Sequence, residues 1–188
     1  TIDGAHSVNE VFLDNVEVPE DALIGEENKG WTYAKFLLNH ERTNNAQVHR
    51  SRREFERLKR SAAETLDGDG RPLLDNPAFR RRFAIIEMEV RALEATVLRI
   101  LAVQTGGKEP GPETSIVKVI GSRLQQMISE LAMDVFAEQA IAVPATGLNA
   151  PSDAAAWAER HLFRRVVTIY AGSNEIQKTI IARTALGL

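Results

Sequence analysis

The sequence predicts a mainly helical protein, an up-down helical bundle preceded by a short β segment. Two observations carry this. Apolar residues repeat with 4-3 spacing through the middle of the chain, which is the seam of a helix packed in a bundle. Strand-like alternation is confined to residues 8–18: Val11, Phe12 and Leu13 precede the turn signal Asp14-Asn15, and Val16 and Val18 alternate before Pro19. Two strands this short do not make a stable sheet alone, so they are expected to belong to a larger one.

The elements follow in order. A glycine-punctuated loop runs from Gly25 to Gly30, and a first long helix is expected from about Trp31 to Leu66. The second helix is the clearest, with Phe79, Phe83, Ile86, Val90, Leu93, Val97 and Ile100 on one face. The third begins after Pro112, a residue suited to a first turn, and carries Ile116, Ile120, Leu124, Met127, Leu131 and Val135. A shorter helix starts near Ser152-Asp153, either of which can serve as N-cap. The last begins around Ser173-Asn174, where Asn174 and Gln177 have the spacing of a capping box.

Composition narrows the function classes. The 188 residues suffice for one compact domain, and 44% apolar with 26% charged residues is an ordinary globular balance. No apolar run approaches the roughly 20 residues of a spanning helix. The net charge of −3 gives no pull toward nucleic acid or anionic membranes. With no cysteine, disulfides, thiolate metal sites and a cysteine nucleophile are excluded. That absence is compatible with a reducing compartment, and a cytoplasmic location is expected, with a mitochondrial matrix location the alternative. The opening Thr1-Ile2-Asp3-Gly4 has neither an initiator Met nor a signal peptide, so the chain is expected to be a fragment that does not turn over by itself.

Two segments are candidates for chemistry. From Asn39 to Glu54 only Ala46 and Val48 are apolar, between core-like flanks at Phe36-Leu37-Leu38 and at Phe55, Leu58 and Ala62. The stretch reads as solvated or non-helical, as a subunit contact, or as the lining of a polar cavity with Glu41 as general base and Arg42 beside it. The second segment, Thr168 to Gln177, passes through Tyr170-Ala171-Gly172 into a capped helix. It reads as an ordinary tight turn, or as a place where small residues admit a ligand to free helix-start N–H groups. The four histidines lack metal-ligand spacing. The basic run Arg50, Arg52, Arg53, Arg57, Lys59 and Arg60 reads as a solvated helix face, with phosphate contact the alternative, and Arg80-Arg81-Arg82 reads the same way.

Together, and in this order, these segments resemble the C-terminal part of the acyl-CoA dehydrogenases. Asn9 to Pro19 is similar to the last strands of that family's middle β-domain, and Gly25 to Trp31 to the loop entering its helical bundle. Glu41-Arg42-Thr43-Asn44-Asn45-Ala46 matches E-R-x-x-x-A; Ile169 to Ser173, Glu175-Ile176-Gln177 and Ile181-Ala182-Arg183 resemble the terminal signature. Within the family the sequence is most similar to large subunits of pimeloyl-CoA-type dehydrogenases. The resemblance implies a division into residues 1–29, the end of the β-domain with its linker, and 30–188, the bundle.

It also implies FAD as cofactor, an acyl-CoA thioester as substrate and a trans-2-enoyl-CoA as product. An electron-transfer flavoprotein or similar acceptor and a homo- or hetero-oligomer, the family favouring tetramers, follow from it as well. By the resemblance Glu41 is the base, because Ala171 stands where many members carry a glutamate and cannot accept a proton. The Ala171 backbone N–H still serves the thioester carbonyl; Arg42 and Tyr170 adjoin the substrate; Gly172 and Ser173 lie at the flavin. Two family motifs are absent. Asp67-Gly68-Asp69-Gly70-Arg71 replaces R-x-x-F-G, and Ala142 to Gly147 replaces a glycine-rich adenine-side loop. These losses imply an altered flavin site, a heteromeric partner or weak FAD retention; the alternative readings are a scaffold subunit of a heteromeric dehydrogenase, a related flavin oxidase or monooxygenase, and a helical interaction module with no cofactor.

Overall fold

The computed structural model describes residues 1–107, 111–141 and 152–188, without the side chains of 39–43, 45 and 152. The chain folds into helices α1 (Gly30–Asn45), α2 (Val48–Glu64), α3 (Pro77–Thr105), α4 (Glu113–Phe136), α5 (Glu138–Ile141), α6 (Ser152–Phe163) and α7 (Asn174–Ala185). The long seam on α3 holds as read: Phe83, Ile86, Val90, Leu93, Val97 and Ile100 are buried, with Phe79 packed at the edge. Pro77 opens that helix and the Asn76 side chain accepts from the Ala78 N–H at 2.9 Å, satisfying one of the free donors of the first turn.

α4 is the axis of the bundle. It packs against α1, α2, α3, α6 and α7. Burial therefore runs around much of its circumference, taking in Val117, Leu124, Ile128, Leu131 and Val135 on the apolar side and Ser115, Lys118, Ser122, Gln125 and Ser129 elsewhere. Phe55 of α2 and Phe83 of α3 meet with ring centroids 5.8 Å apart, tying the outer helices together.

Two expectations need correction. The first long helix is two helices, broken at Ala46-Gln47, with Gln47 in the left-handed region at φ 50. A close contact with a helix far away in sequence accompanies the break. A Cβ at Gly121 of α4 would stand 2.5 Å from the Ala46 carbonyl oxygen and 2.8 Å from its Cα, so backbone meets backbone at the break. Residues 8–18, expected to belong to a larger sheet, pair with no strand among the described residues. The bend at Asp14-Asn15 is present, with Asn15 at φ 48, and Val8, Val11, Phe12, Leu13, Val16 and Val18 are exposed. The N-cap of α7 is Ser173, whose Oγ accepts from the Ile176 N–H at 3.3 Å. Asn174 is already helical and turns its amide inward instead.

The basic run of α2 is exposed and paired. Arg50 binds Glu54, Arg52 binds Glu94, Arg57 binds Asp153 and Lys59 binds Glu87. Arg82 likewise pairs with Asp134. A different cation is structural in a stronger sense. Arg164 is 1% exposed, donates to both Glu54 oxygens at 2.9 and 3.0 Å and reaches Gln125 Oε1, while Gln126 donates to its carbonyl. No described helix is long and apolar enough to cross a membrane.

Candidate active-site cleft

The approach to α7 is a strained turn. After the 3-10 turn Val166–Thr168, the Ile169 and Tyr170 N–H groups close back on the Val166 carbonyl at 2.8 and 3.1 Å. Ala171 and Gly172 then take successive left-handed conformations at φ 57 and φ 82. For Ala171 that conformation costs about 1–2 kcal/mol, so the surrounding structure must hold it in place. Gly172 has two reasons to lack a side chain. Its φ suits glycine, and a Cβ there would lie 2.5 Å from Gln177 Nε2.

Opposite this turn runs α1. Trp31, Lys35 and Leu38 on one side and Ala171, Gly172 and Ile176 on the other bound a largely apolar cleft of about 310 Å³, with Gln177 and Ile180 completing its wall. Gln177 is buried, and its Oε1 has no partner among the described residues. The slot is walled mainly by bare backbone and apolar side chains.

The predicted site residues divide. Ala171 and Gly172 line this cleft, and Ser173 caps the helix at its edge. Tyr170 does not share it. That side chain borders a separate apolar hollow of about 560 Å³ with Ile2, Val8, Phe163, Val166 and Ile169. Glu41 and Arg42 belong to α1, three and four residues beyond Leu38, and their side chains lie outside the described residues. The replacement for the first missing motif, Asp67 to Arg71, forms a tight turn in which Asp67 Oδ1 accepts from the Asp69 and Arg71 N–H groups at 3.0 Å each. These bonds hold the Asp67 carboxyl below its usual range. The replacement for the second, 142–147, lies outside the described residues.

Sequence reading missed the polar groups beneath the cleft. Asn174 Oδ1 accepts from Lys118 Nζ at 2.9 Å and Asn174 Nδ2 donates to Ser122 Oγ at 3.0 Å. The signal was available. Ser115, Lys118, Ser122, Gln125 and Ser129 repeat at 3-4 spacing like an apolar seam, but in polar residues. All five are buried.

Comparison with known proteins agrees with this architecture. Residues 28–186 match the family profile described as "Acyl-CoA dehydrogenase, C-terminal domain". The acyl-CoA dehydrogenase IpdE1 of Mycobacterium tuberculosis is 30% identical over 190 residues, covering 100% of this chain and 46% of that protein. The chain thus spans about half the length of the curated relative. Among solved structures, the ChsE4-ChsE5 complex from Mycobacterium tuberculosis superposes with a TM-score of 0.71 at 27% identity, over 87% of this chain and 42% of that one. The glutaryl-coenzyme A dehydrogenase complex with glutaryl-CoA shares the fold with a TM-score of 0.78 at 22% identity, over 94% of this chain and 42% of that one. By its matched profile and its helical architecture, the chain belongs to the acyl-CoA dehydrogenases, a family of flavoprotein oxidoreductases.

Proposed function

We propose that the natural protein oxidises an acyl-CoA thioester to the trans-2-enoyl-CoA, with this chain supplying one wall of the active site. The observation that carries the reading is the cleft, where α1 faces the left-handed Ala171-Gly172 turn across a slot that suits a flavin ring. FAD, when bound, supplies the acceptor for the hydride leaving Cβ. Gly172 offers bare backbone for close approach, and Ser173 is the polar residue proposed to meet it.

The remaining chemistry falls to this chain. An α-proton is weakly acidic, so the thioester oxygen must be stabilised as charge develops on it. The Ala171 N–H is the donor proposed for that oxygen, a role that needs no side chain. Glu41 is the proposed base, taking the proton from Cα, with Arg42 adjoining it. Tyr170, facing the neighbouring apolar hollow, is proposed to bound the substrate rather than to touch the reacting atoms. An electron-transfer flavoprotein or similar acceptor is the proposed partner for reoxidation.

Anaerobic titration of the FAD-loaded natural protein with a panel of acyl-CoAs tests this. Loss of flavin absorbance is expected, and Glu41→Gln is expected to abolish it. Retained bleaching in that variant would remove Glu41 from the base role, and no bleaching by any thioester would remove the reaction.

A second reading, a scaffold subunit in a heteromeric dehydrogenase, draws support from Arg71. Its guanidinium binds Asp69 at 2.8 Å and Asp67 at 3.6 Å within its own turn. It is therefore engaged locally rather than reaching toward a neighbour's cofactor. FAD retention only in the presence of a second, different subunit would favour this reading.

A further inference from the structure

The buried polar stripe of α4 has two ends. Gln125 is accounted for by Arg164. Lys118 is 1% exposed and makes no salt bridge among the described residues; the exposed Glu175 carboxylate acts on it from beyond ion-pair distance. Its Nζ donates to Asn174 Oδ1 at 2.9 Å, and the amide is fixed from its other end by Ser122, whose hydroxyl in turn reaches the Val119 carbonyl at 3.0 Å. Burying an ammonium this way is costly, and an apolar side chain would fill the same path along α4 at less cost. The charge therefore calls for a use.

Its position supplies one. Asn174 opens α7, and Gly172, two residues earlier, forms the wall of the cleft. A helix start already carries partial positive charge from its unpaired N–H groups. Lys118 adds a full charge at that same end. One further charge acts on it. Glu175, on α7, is exposed, so solvent screens it, whereas the buried ammonium is screened far less. Burial pulls the Lys118 pKa down and Glu175 pulls it back up.

We propose that Lys118 is a positioning residue for the cleft: held by Asn174 under the first turn of α7, it favours the enolate of a bound acyl thioester over the neutral form. This rests on the dehydrogenase reading above and adds to it the source of charge that the Ala171 N–H alone does not provide.

Acetoacetyl-CoA is the probe. Its α-protons lie between two carbonyls and ionise readily, while its Cβ carries no hydrogen to leave as hydride. The FAD-loaded natural protein with acetoacetyl-CoA bound is titrated with pH, reading the enolate absorbance. Lys118→Met is expected to raise the ligand's apparent pKa by about one unit, a tenfold loss of enolate at fixed pH, and Lys118→Arg to restore most of it. Asn174→Asp keeps the acceptor for Lys118 and leaves Ser122 able to donate to it, but sets a carboxylate against the ammonium; it is expected to shift the pKa the same way. An unchanged ligand pKa in Asn174→Asp, or in Lys118→Met with only a lower Tm, would overturn the inference and reduce the cluster to a clamp between α4 and α7. Failure of the unsubstituted protein to bind acetoacetyl-CoA at all would overturn the dehydrogenase reading and this inference together. Equal ionisation in every variant would overturn this inference alone.

Discussion

α3 and α4 are both long, both seamed with apolar residues at helical spacing, and solve different problems. α3 lies on the outside and buries a single stripe, from Phe83 to Ile100, leaving Met88 and Leu98 at 63% and 57% exposure on its far side. α4 is surrounded, so its second buried stripe must be matched by partners rather than by solvent. Polar residues occupy that stripe, and three of the five find a group on a later element: Lys118 and Ser122 find Asn174, and Gln125 finds Arg164. An outer helix needs only to be amphipathic. A central helix carries the wiring by which distant segments are placed, and here those segments include the start of α7 at the cleft.

The comparison can be broken first at Arg164. Arg164→Ala leaves the Glu54 carboxylate and the Gln125 amide short of their main partner in the interior, and a loss of about 3–5 kcal/mol is expected in urea unfolding. The double substitution Arg164→Met with Glu54→Leu is expected to recover part of that, because no charge is then stranded. An Arg164→Ala effect under about 1 kcal/mol would show that the stripe on α4 is not structurally coupled as described.

A paired experiment sharpens the contrast between the helices. Leu124→Ala on α4 opens a cavity at a site 1% exposed and is expected to cost about 2–5 kcal/mol. Leu98→Ala, the same chemistry on the outer face of α3, is expected to change stability by less than about 0.5 kcal/mol. Similar values from the two unfolding curves would mean that the outer face of α3 is covered in solution.

The smallest effect concerns pH. His161 of α6 is half-buried, and its Nδ1 has no partner among the described residues. Burial first, and the nearby Arg165 second, hold its pKa below the ordinary value of 6.5. Below 6.5 the unfolded chain therefore takes up a proton that the folded chain resists, and stability falls as pH drops through the folded pKa. Denaturant curves at pH 7 and in the acid window just below 6.5 are expected to differ in that direction, and His161→Gln to remove part of the difference.

How much of this was legible in the sequence depended on where the cause lay. The α3 seam was legible because Phe83 to Ile100 carry their own period. The break between α1 and α2 was legible only in part: the polar stretch 39–54 left a non-helical segment open, but the main-chain contact with Gly121 on another helix that accompanies the break has no local signal. At 8–18 the alternation specifies a strand's faces but not its partner, so the larger sheet expected there is not legible from this segment. At the site, the Ala171-Gly172 turn was visible as small residues before a cap, yet the cap itself fell one residue earlier than the capping-box spacing suggested. Lys118 and Ser122 were passed over because a search for apolar periodicity treats a polar seam as surface.

Ala46 and Gly121 touch through their main chains. A contact of that kind has no side-chain thickness to vary, so it behaves as a pivot. Exchanges of core residues on either side can tilt α1 about it without widening the gap. Leu38, on the cleft wall, stands eight residues up the helix from Ala46, roughly 12 Å at 1.5 Å per residue. A tilt of about 5° at the pivot moves it by about 1 Å. The width of the cleft is therefore an angle read at the end of a lever, and residues that never touch a ligand can set it.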